Sequence, residues 1–187
     1  MEHPEIDRIG RNIAMSARTS PAYAAKPMTA QEALEKAQQP ILALSWQSIH
    51  DAIDSLYYQI QPLKPHLIVA IARGGLIPGT LLSHKLNVCV EVVHASAYQG
   101  TRRALEKPIT VEGWKTEYNH HKVIIVDDIL DSGDTYRAIQ SQESGALFHA
   151  RYAVLVHKIP NERLVPIHYA RVPKDVWVKF PWESDET

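Results

Sequence analysis

Three carboxylates, Asp127, Asp128 and Asp131, run directly into Ser132-Gly133-Asp134-Thr135. Hydroxyl side chains around a glycine suit an anion. Ser132 and Thr135 can donate hydrogen bonds, and Gly133 lets backbone N–H groups close on a phosphate. The adjacent acids cannot serve that same phosphate, which they would repel. They suit the hydroxyls of a sugar attached to it, or a divalent cation. A phosphate cradle beside a carboxylate pair therefore implies a phosphorylated sugar. Arg73-Gly74-Gly75 offers a second place for an anion, with two glycines exposing backbone donors and a guanidinium whose fork matches phosphate oxygens. Taken alone, that tripeptide is equally an ordinary turn. The histidines are scattered, apart from the adjacent His120-His121, and show no metal-ligand spacing.

These groups need elements to hold them. Val123-Ile124-Ile125-Val126 is apolar, β-branched and too short for a helix, so it reads as a strand buried on both faces at the centre of a parallel sheet. The acids follow that strand, and a helix is expected from about Asp134 to Gln142. His66 to Ala72 reads as a second buried strand, ending at Arg73. A helix from about Ile77 to Leu86, closed by Asn87, leads to a strand from Val88 to Ala95. Strand, helix, strand at this spacing implies a βαβ unit and a parallel sheet, in which ligands collect at the carboxyl ends of the strands. Upstream, Ser45 is the expected N-cap of a helix from Trp46 to about Ile60, with Ile49, Ile53, Leu56 and Ile60 on one face. A further strand is expected from Arg151 to His157, ending at Lys158. Residues Tyr98 to about Tyr118 read as a long polar loop carrying Arg102, Arg103, Lys107 and Lys115, which suits a lid.

The string V-I-I-V-D-D-I-L-D-S-G-D-T resembles the phosphoribosyl diphosphate-binding motif of type I phosphoribosyltransferases. I-A-R-G-G-L-I-P-G-T-L-L is similar to the diphosphate loop and following helix of the same family. V-H-K-I-P, together with D-x-W-x-x-x-P-W near the C-terminus, resembles the base-binding elements of the bacterial xanthine–guanine (6-oxopurine) branch. The resemblance covers residues 41–184. It implies an α/β fold with a central parallel sheet flanked by helices, a flexible lid loop and a small C-terminal hood over the base. It also implies transfer of a 5-phosphoribosyl group to guanine, xanthine or hypoxanthine in purine salvage, with Mg2+. On this reading Arg73, Gly74 and Gly75 hold the diphosphate. Asp127 and Asp128 meet the ribose hydroxyls and the metal, directly or through water, and Ser132, Gly133, Asp134 and Thr135 hold the 5′-phosphate. Asp131 is the catalytic candidate, handling the purine's imidazole proton, while Lys158, Trp177 and Val178 bind the base. Ala97-Tyr98 departs from the Ser-Tyr pair common in the family's lid. Two other readings share the fold: a transferase with another acceptor base, and a non-enzymatic sensor of phosphoribosyl diphosphate or nucleotide.

Composition narrows the classes further. The chain has 187 residues, a formal net charge of -1 and a 45% hydrophobic fraction, which suits one domain with an appendage. Residues 1–40 form an expected N-terminal extension, followed by the catalytic domain over 41–187. The extension balances Arg8, Arg11, Arg18, Lys26 and Lys36 against Glu2, Glu5, Asp7, Glu32 and Glu35, so it lacks the basic character of a nucleic-acid arm. Thr29-Ala30-Gln31-Glu32 resembles a capping box that opens a short helix through Ala37. No membrane span is expected. The single Cys89, between two valines, reads as a buried small hydrophobe, and one cysteine fits a reducing, cytoplasmic setting. A homo-oligomer, dimer or tetramer, is implied by the resemblance.

Overall fold

The computed structural model describes residues 39–97, 109–115, 118, 122–142, 150–159 and 166–183. The chain divides into two units, Met1–Gln39 and Pro40–Thr187. The helix expected to open at Thr29 lies outside the described residues, as does the stretch of the expected lid carrying Tyr98, Arg102, Arg103 and Lys107.

The second unit is built on a six-stranded sheet. In chain order the strands are β1 (Ile41–Ala43), β2 (Leu67–Ala72), β3 (Cys89–Ala97), β4 (Ile109–Glu112), β5 (Val123–Leu130), β6 (Arg151–Ile159), β7 (Ile167–Pro173) and β8 (Trp177–Lys179). The large sheet runs β4-β3-β2-β5-β6-β7, and only β4 is antiparallel to its neighbour. The helices are α1 (Trp46–Ile60), α2 (Leu76–Leu86) and α3 (Asp134–Gln140).

Local chemistry sets the helix limits. Ser45 caps α1 by accepting from the Ser48 amide at 3.1 Å, and Ser48 reciprocates at 3.4 Å. Asn87 ends α2 in the left-handed region, at φ 54°, where its amide still reaches the last turn. The apolar runs of β2 and β5 are buried on both faces. Ile68, Ile124 and Val126 join Ile49, Ile53, Leu56 and Leu82 beneath α1 and α2. Their alternates Val69, Ile71, Val123 and Ile125 pack with Val93, Tyr118 and Ile139 on the opposite face. Each such side chain contributes about 1.5–3 kcal/mol by leaving water. Truncating one, for example Ile125→Ala, would cost about 2–5 kcal/mol.

Four expectations change. The motif strand does not stop at Val126 but continues to Leu130, so Asp127 and Asp128 lie within the strand, with Asp127 opposite Val154. Hydrogen bonding to β6 carries the backbone through the acids. The polar stretch before Tyr118 is not all loop, because Ile109–Glu112 pairs with the end of β3. The I-T-V-E alternation was the signal for that strand. Lys115, expected on the lid, is bound to Glu91, which also accepts from the Tyr118 hydroxyl at 2.7 Å. Cys89 is exposed rather than buried. It is the first residue of β3, at the rim, while Val93 further along the same face is the buried one.

The start of the domain also does more than begin it. Residues 41–43 form β1, parallel to β8, with Ile41 opposite Trp177 and Leu42 opposite Val178. Bonds from Trp177 N to Pro40 O (2.8 Å) and from Leu44 N to Lys179 O (2.9 Å) extend the ladder, so the segment bearing Trp177 is fixed by the domain's first residues.

Candidate active site

β2, β5 and β6 lie side by side and parallel, so their carboxyl ends bring Arg73-Gly74-Gly75, the acidic motif and Lys158 to one edge of the sheet. After Leu130 the chain turns through Asp131-Ser132-Gly133 into α3. Gly133 has φ 83°, a left-handed conformation that side chains rarely adopt, which is why glycine stands there. Asp127 to Gly133, with Thr135 and Tyr136, line a cleft of about 200 Å³. Asp134 opens α3, and its carboxylate accepts from Ser132 Oγ at 2.7 Å and from Arg137 Nη2 at 2.5 Å. Behind the loop the Tyr136 ring lies 3.8 Å, centroid to centroid, from Tyr152. Its buried hydroxyl has no hydrogen-bonding partner among the described residues, and burial holds its ionisation far above the ordinary range.

The loop after β2 presses against this motif. Gly75 N bonds to Ile71 O at 2.8 Å, and the Ala72–Arg73 peptide is cis. A Cβ on Gly74 would lie 2.4 Å from the Asp128 carboxyl group, and one on Gly75 would lie 2.1 Å from the carbonyl oxygen of Val126. These glycines are there for close approach. Burial, followed by the neighbouring charge of Asp128, pushes Asp127 well above the usual carboxylate range. Burial likewise raises Asp128 to about 6. The two acids are thus desolvated side by side. Their all-oxygen donor set fits a hard divalent ion such as Mg2+. No cluster of three or more metal-ligating side chains occurs among the described residues.

The base-binding candidates converge from two elements. Lys158 on β6 is 8% exposed, unusual for an ammonium. Its Nζ lies 3.2 Å from Asp131 Oδ2 and 6.0 Å from the centroid of the Trp177 ring. Trp177 stays 38% exposed, leaving ring surface open, whereas Val178 turns its side chain into the core. What Val178 can offer a base is therefore main chain.

Sequence reasoning missed Glu183. Its Oε2 accepts from Phe180 N at 3.1 Å, and its charge helps raise Asp128. The C-terminal turn thereby brings a third acid towards the pair. An acid directly after Pro181-Trp182 was the available signal. Asp134 was expected among the phosphate ligands, but here it takes up donors of the loop itself.

The chain is similar to known proteins over most of its length. The family model described as phosphoribosyl transferase domain matches residues 44–185. The chain belongs to that family. It is 33% identical over 147 residues to xanthine-guanine phosphoribosyltransferase of Chromohalobacter salexigens, covering 75% of this chain and 82% of the relative. Identity to the enzyme of that name from Nitratidesulfovibrio vulgaris is 29% over 149 residues, covering 78% and 86%. A crystal structure of purine phosphoribosyltransferase from Pyrococcus horikoshii superposes with TM-score 0.68 at 27% identity, covering 79% of this chain and 97% of that one. The fold is thus the phosphoribosyltransferase fold, a mostly parallel sheet with helices on its faces, and the chain is a member of that enzyme family.

Proposed function

We propose that the protein transfers the 5-phosphoribosyl group of phosphoribosyl diphosphate to a 6-oxopurine, yielding the nucleoside 5′-monophosphate and diphosphate in purine salvage. The observation that carries this reading is the meeting of Lys158, Asp131 and the Trp177 ring at one sheet edge. The ammonium donates to a 6-oxo oxygen, the indole face stacks on the purine, and the carboxylate stands where the imidazole proton leaves. Stacking on one aromatic ring supplies about 1–3 kcal/mol. The relatives named above, which act on xanthine and guanine or on purines by their names, support the same acceptor class.

In the reaction the bond from the anomeric carbon to the diphosphate oxygen breaks, and a bond from that carbon to a purine nitrogen forms. The nitrogen's proton passes to Asp131. The Arg73 guanidinium and the loop amides offset negative charge gathering on the leaving diphosphate. Ser132 to Thr135 hold the 5′-phosphate, and the carboxylates of Asp127 and Asp128 hold the ribose hydroxyls. Mg2+ held at Asp127 and Asp128, directly or through water, would supply Lewis-acid neutralisation of phosphate oxygens. A cytoplasmic setting and a homo-oligomeric assembly belong to the same proposal. No helix among the described residues is long and apolar enough to cross a membrane.

Diphosphate release measured with guanine, xanthine, hypoxanthine, adenine and uracil in turn tests the reading. Turnover of the oxopurines and little with adenine or uracil is expected. Turnover confined to adenine or to uracil would move the protein to another acceptor class, and none with any base would favour a sensor.

A further inference from the structure

Two side chains of the 132–137 segment that could offer donors to an incoming phosphate, Ser132 and Arg137, already serve one carboxylate. Ser132 Oγ donates to Asp134 Oδ2 at 2.7 Å. Arg137 Nη2 donates to Asp134 Oδ1 at 2.5 Å and to the Ser132 carbonyl at 3.2 Å. The Asp134 amide in turn donates to Ser132 Oγ at 3.3 Å. Asp134 is thus bound as an external anion would be, by one hydroxyl and one guanidinium on a loop lining the cleft.

We propose that Asp134 is an internal stand-in for the substrate's 5′-phosphate, which must take Ser132 and Arg137 from it on binding. This rests on the reading of Ser132 to Thr135 as the phosphate cradle. The carboxylate is fully charged when it competes, because the Ser132 and Arg137 contacts hold it below the usual carboxylate range. It keeps the loop shaped when the cleft is empty, at the expense of affinity. Arg137, one helical turn beyond the loop, becomes the cation that faces the phosphate once the carboxylate has swung out to solvent. Asp134, Ser132 and Arg137 are all exposed, so the exchange breaks no buried contact. Asp134 therefore sets how tightly 5′-phosphate ligands are held.

The test is calorimetric titration with guanosine 5′-monophosphate and with guanosine, which lacks the phosphate, on the full chain. Asp134→Asn keeps the shape and an acceptor for Ser132 while removing the charge, and Asp134→Ala removes both. Both variants are expected to bind the monophosphate about fivefold tighter, the scale of one exposed charge interaction, with guanosine affinity unchanged. KM for phosphoribosyl diphosphate should fall in parallel. Arg137→Ala should weaken the monophosphate alone. Unchanged or weaker monophosphate binding by Asp134→Asn, in protein with the parent's melting temperature, would overturn the stand-in and leave the cradle intact. A different failure is distinguishable. If the parent binds monophosphate no tighter than guanosine, and Ser132→Ala changes neither, the cradle itself is wrong and the stand-in falls with it.

Discussion

Adjacent glycines at 74 and 75 make a controlled comparison, because one faces a side chain and the other faces backbone. In Gly74→Ala the new methyl would start 2.4 Å from the carboxyl carbon and both oxygens of Asp128, against 3.4 Å for ordinary contact. The deficit is about 1 Å, and Asp128 can relieve it by rotating its side chain. The cost then falls on position rather than on folding. A 1 Å misplacement of a group that orients substrate is worth on the order of 100-fold in rate. In Gly75→Ala the methyl meets Val126 O at 2.1 Å and the backbone N and O of Ile71 at 2.8 Å, so two central strands would have to part. That overpacking should cost about 3 kcal/mol or more of stability. Urea denaturation and steady-state diphosphate release, run on both variants, separate the two outcomes. Gly74→Ala should keep the parent's midpoint and lose about 100-fold in kcat/KM, while Gly75→Ala should lose stability outright. Parent-like turnover by Gly74→Ala, or equal stability of the two variants, would refute the assignment of close approach to function in one case and to the core in the other.

Asp131→Asn should fold normally, still bind phosphoribosyl diphosphate, and lose about 10²–10⁴-fold in turnover, as expected for a lost proton acceptor. Near-parent rates with all three oxopurines would remove it from the chemistry. Lys158→Gln should narrow the preference for hypoxanthine over adenine, whereas Trp177→Ala should weaken all purines together. Catalytic efficiencies on the two bases read this directly, and the opposite pattern would exchange the roles. For pH, the sign follows from Asp127 and Asp128, whose folded pKa values lie above the unfolded one of about 3.9. Between pH 4 and about 6 the folded state binds more protons than the unfolded one, so stability falls as pH rises through that window. Asp128 alone, raised from 3.8 to about 6, accounts for about 3 kcal/mol. Urea midpoints without divalent cation should therefore drop from pH 4.5 to pH 7.5, and Asp128→Asn should flatten the drop. A midpoint that rises over that interval would contradict the burial of the pair.

The strongly patterned parts were legible in the sequence. Buried β2 and β5 announced themselves as β-branched runs, α1 by its Ser45 cap and its Ile49, Ile53, Leu56, Ile60 stripe, and the cradle by Gly133 between hydroxyls. Short strands escaped because three or four residues carry little periodicity. β1, β4 and β8 exist through their partners: Ile41 is 65% exposed and would not read as a strand without Trp177 opposite it. The course of β5 through Asp127 was hidden for a related reason, since hydrogen bonding to β6 overrides the low strand propensity of aspartate. Lys158 was named from the resemblance, but its burial escaped. A lysine at a strand end is ordinarily solvated, and only the packing of β6 between β5 and β7 shows it buried.

In the proposed function, that burial links base choice to proton handling. An ammonium that is 8% exposed needs a charged partner, and Asp131 at 3.2 Å supplies one. The ammonium has three donors, so it can keep Asp131 and still give a hydrogen bond to a 6-oxo oxygen. A 6-amino group would instead direct its own donors at the ammonium and leave a buried donor unsatisfied, a mismatch of about 1–3 kcal/mol. Removing the lysine to relax this selectivity would also remove its ion pair with Asp131, the proposed proton acceptor. Lys158→Gln should therefore lower kcat even on the base it comes to accept. An adenine-selective descendant of this site would need a cation for Asp131 from elsewhere to keep that ion pair, not merely a neutral residue at 158.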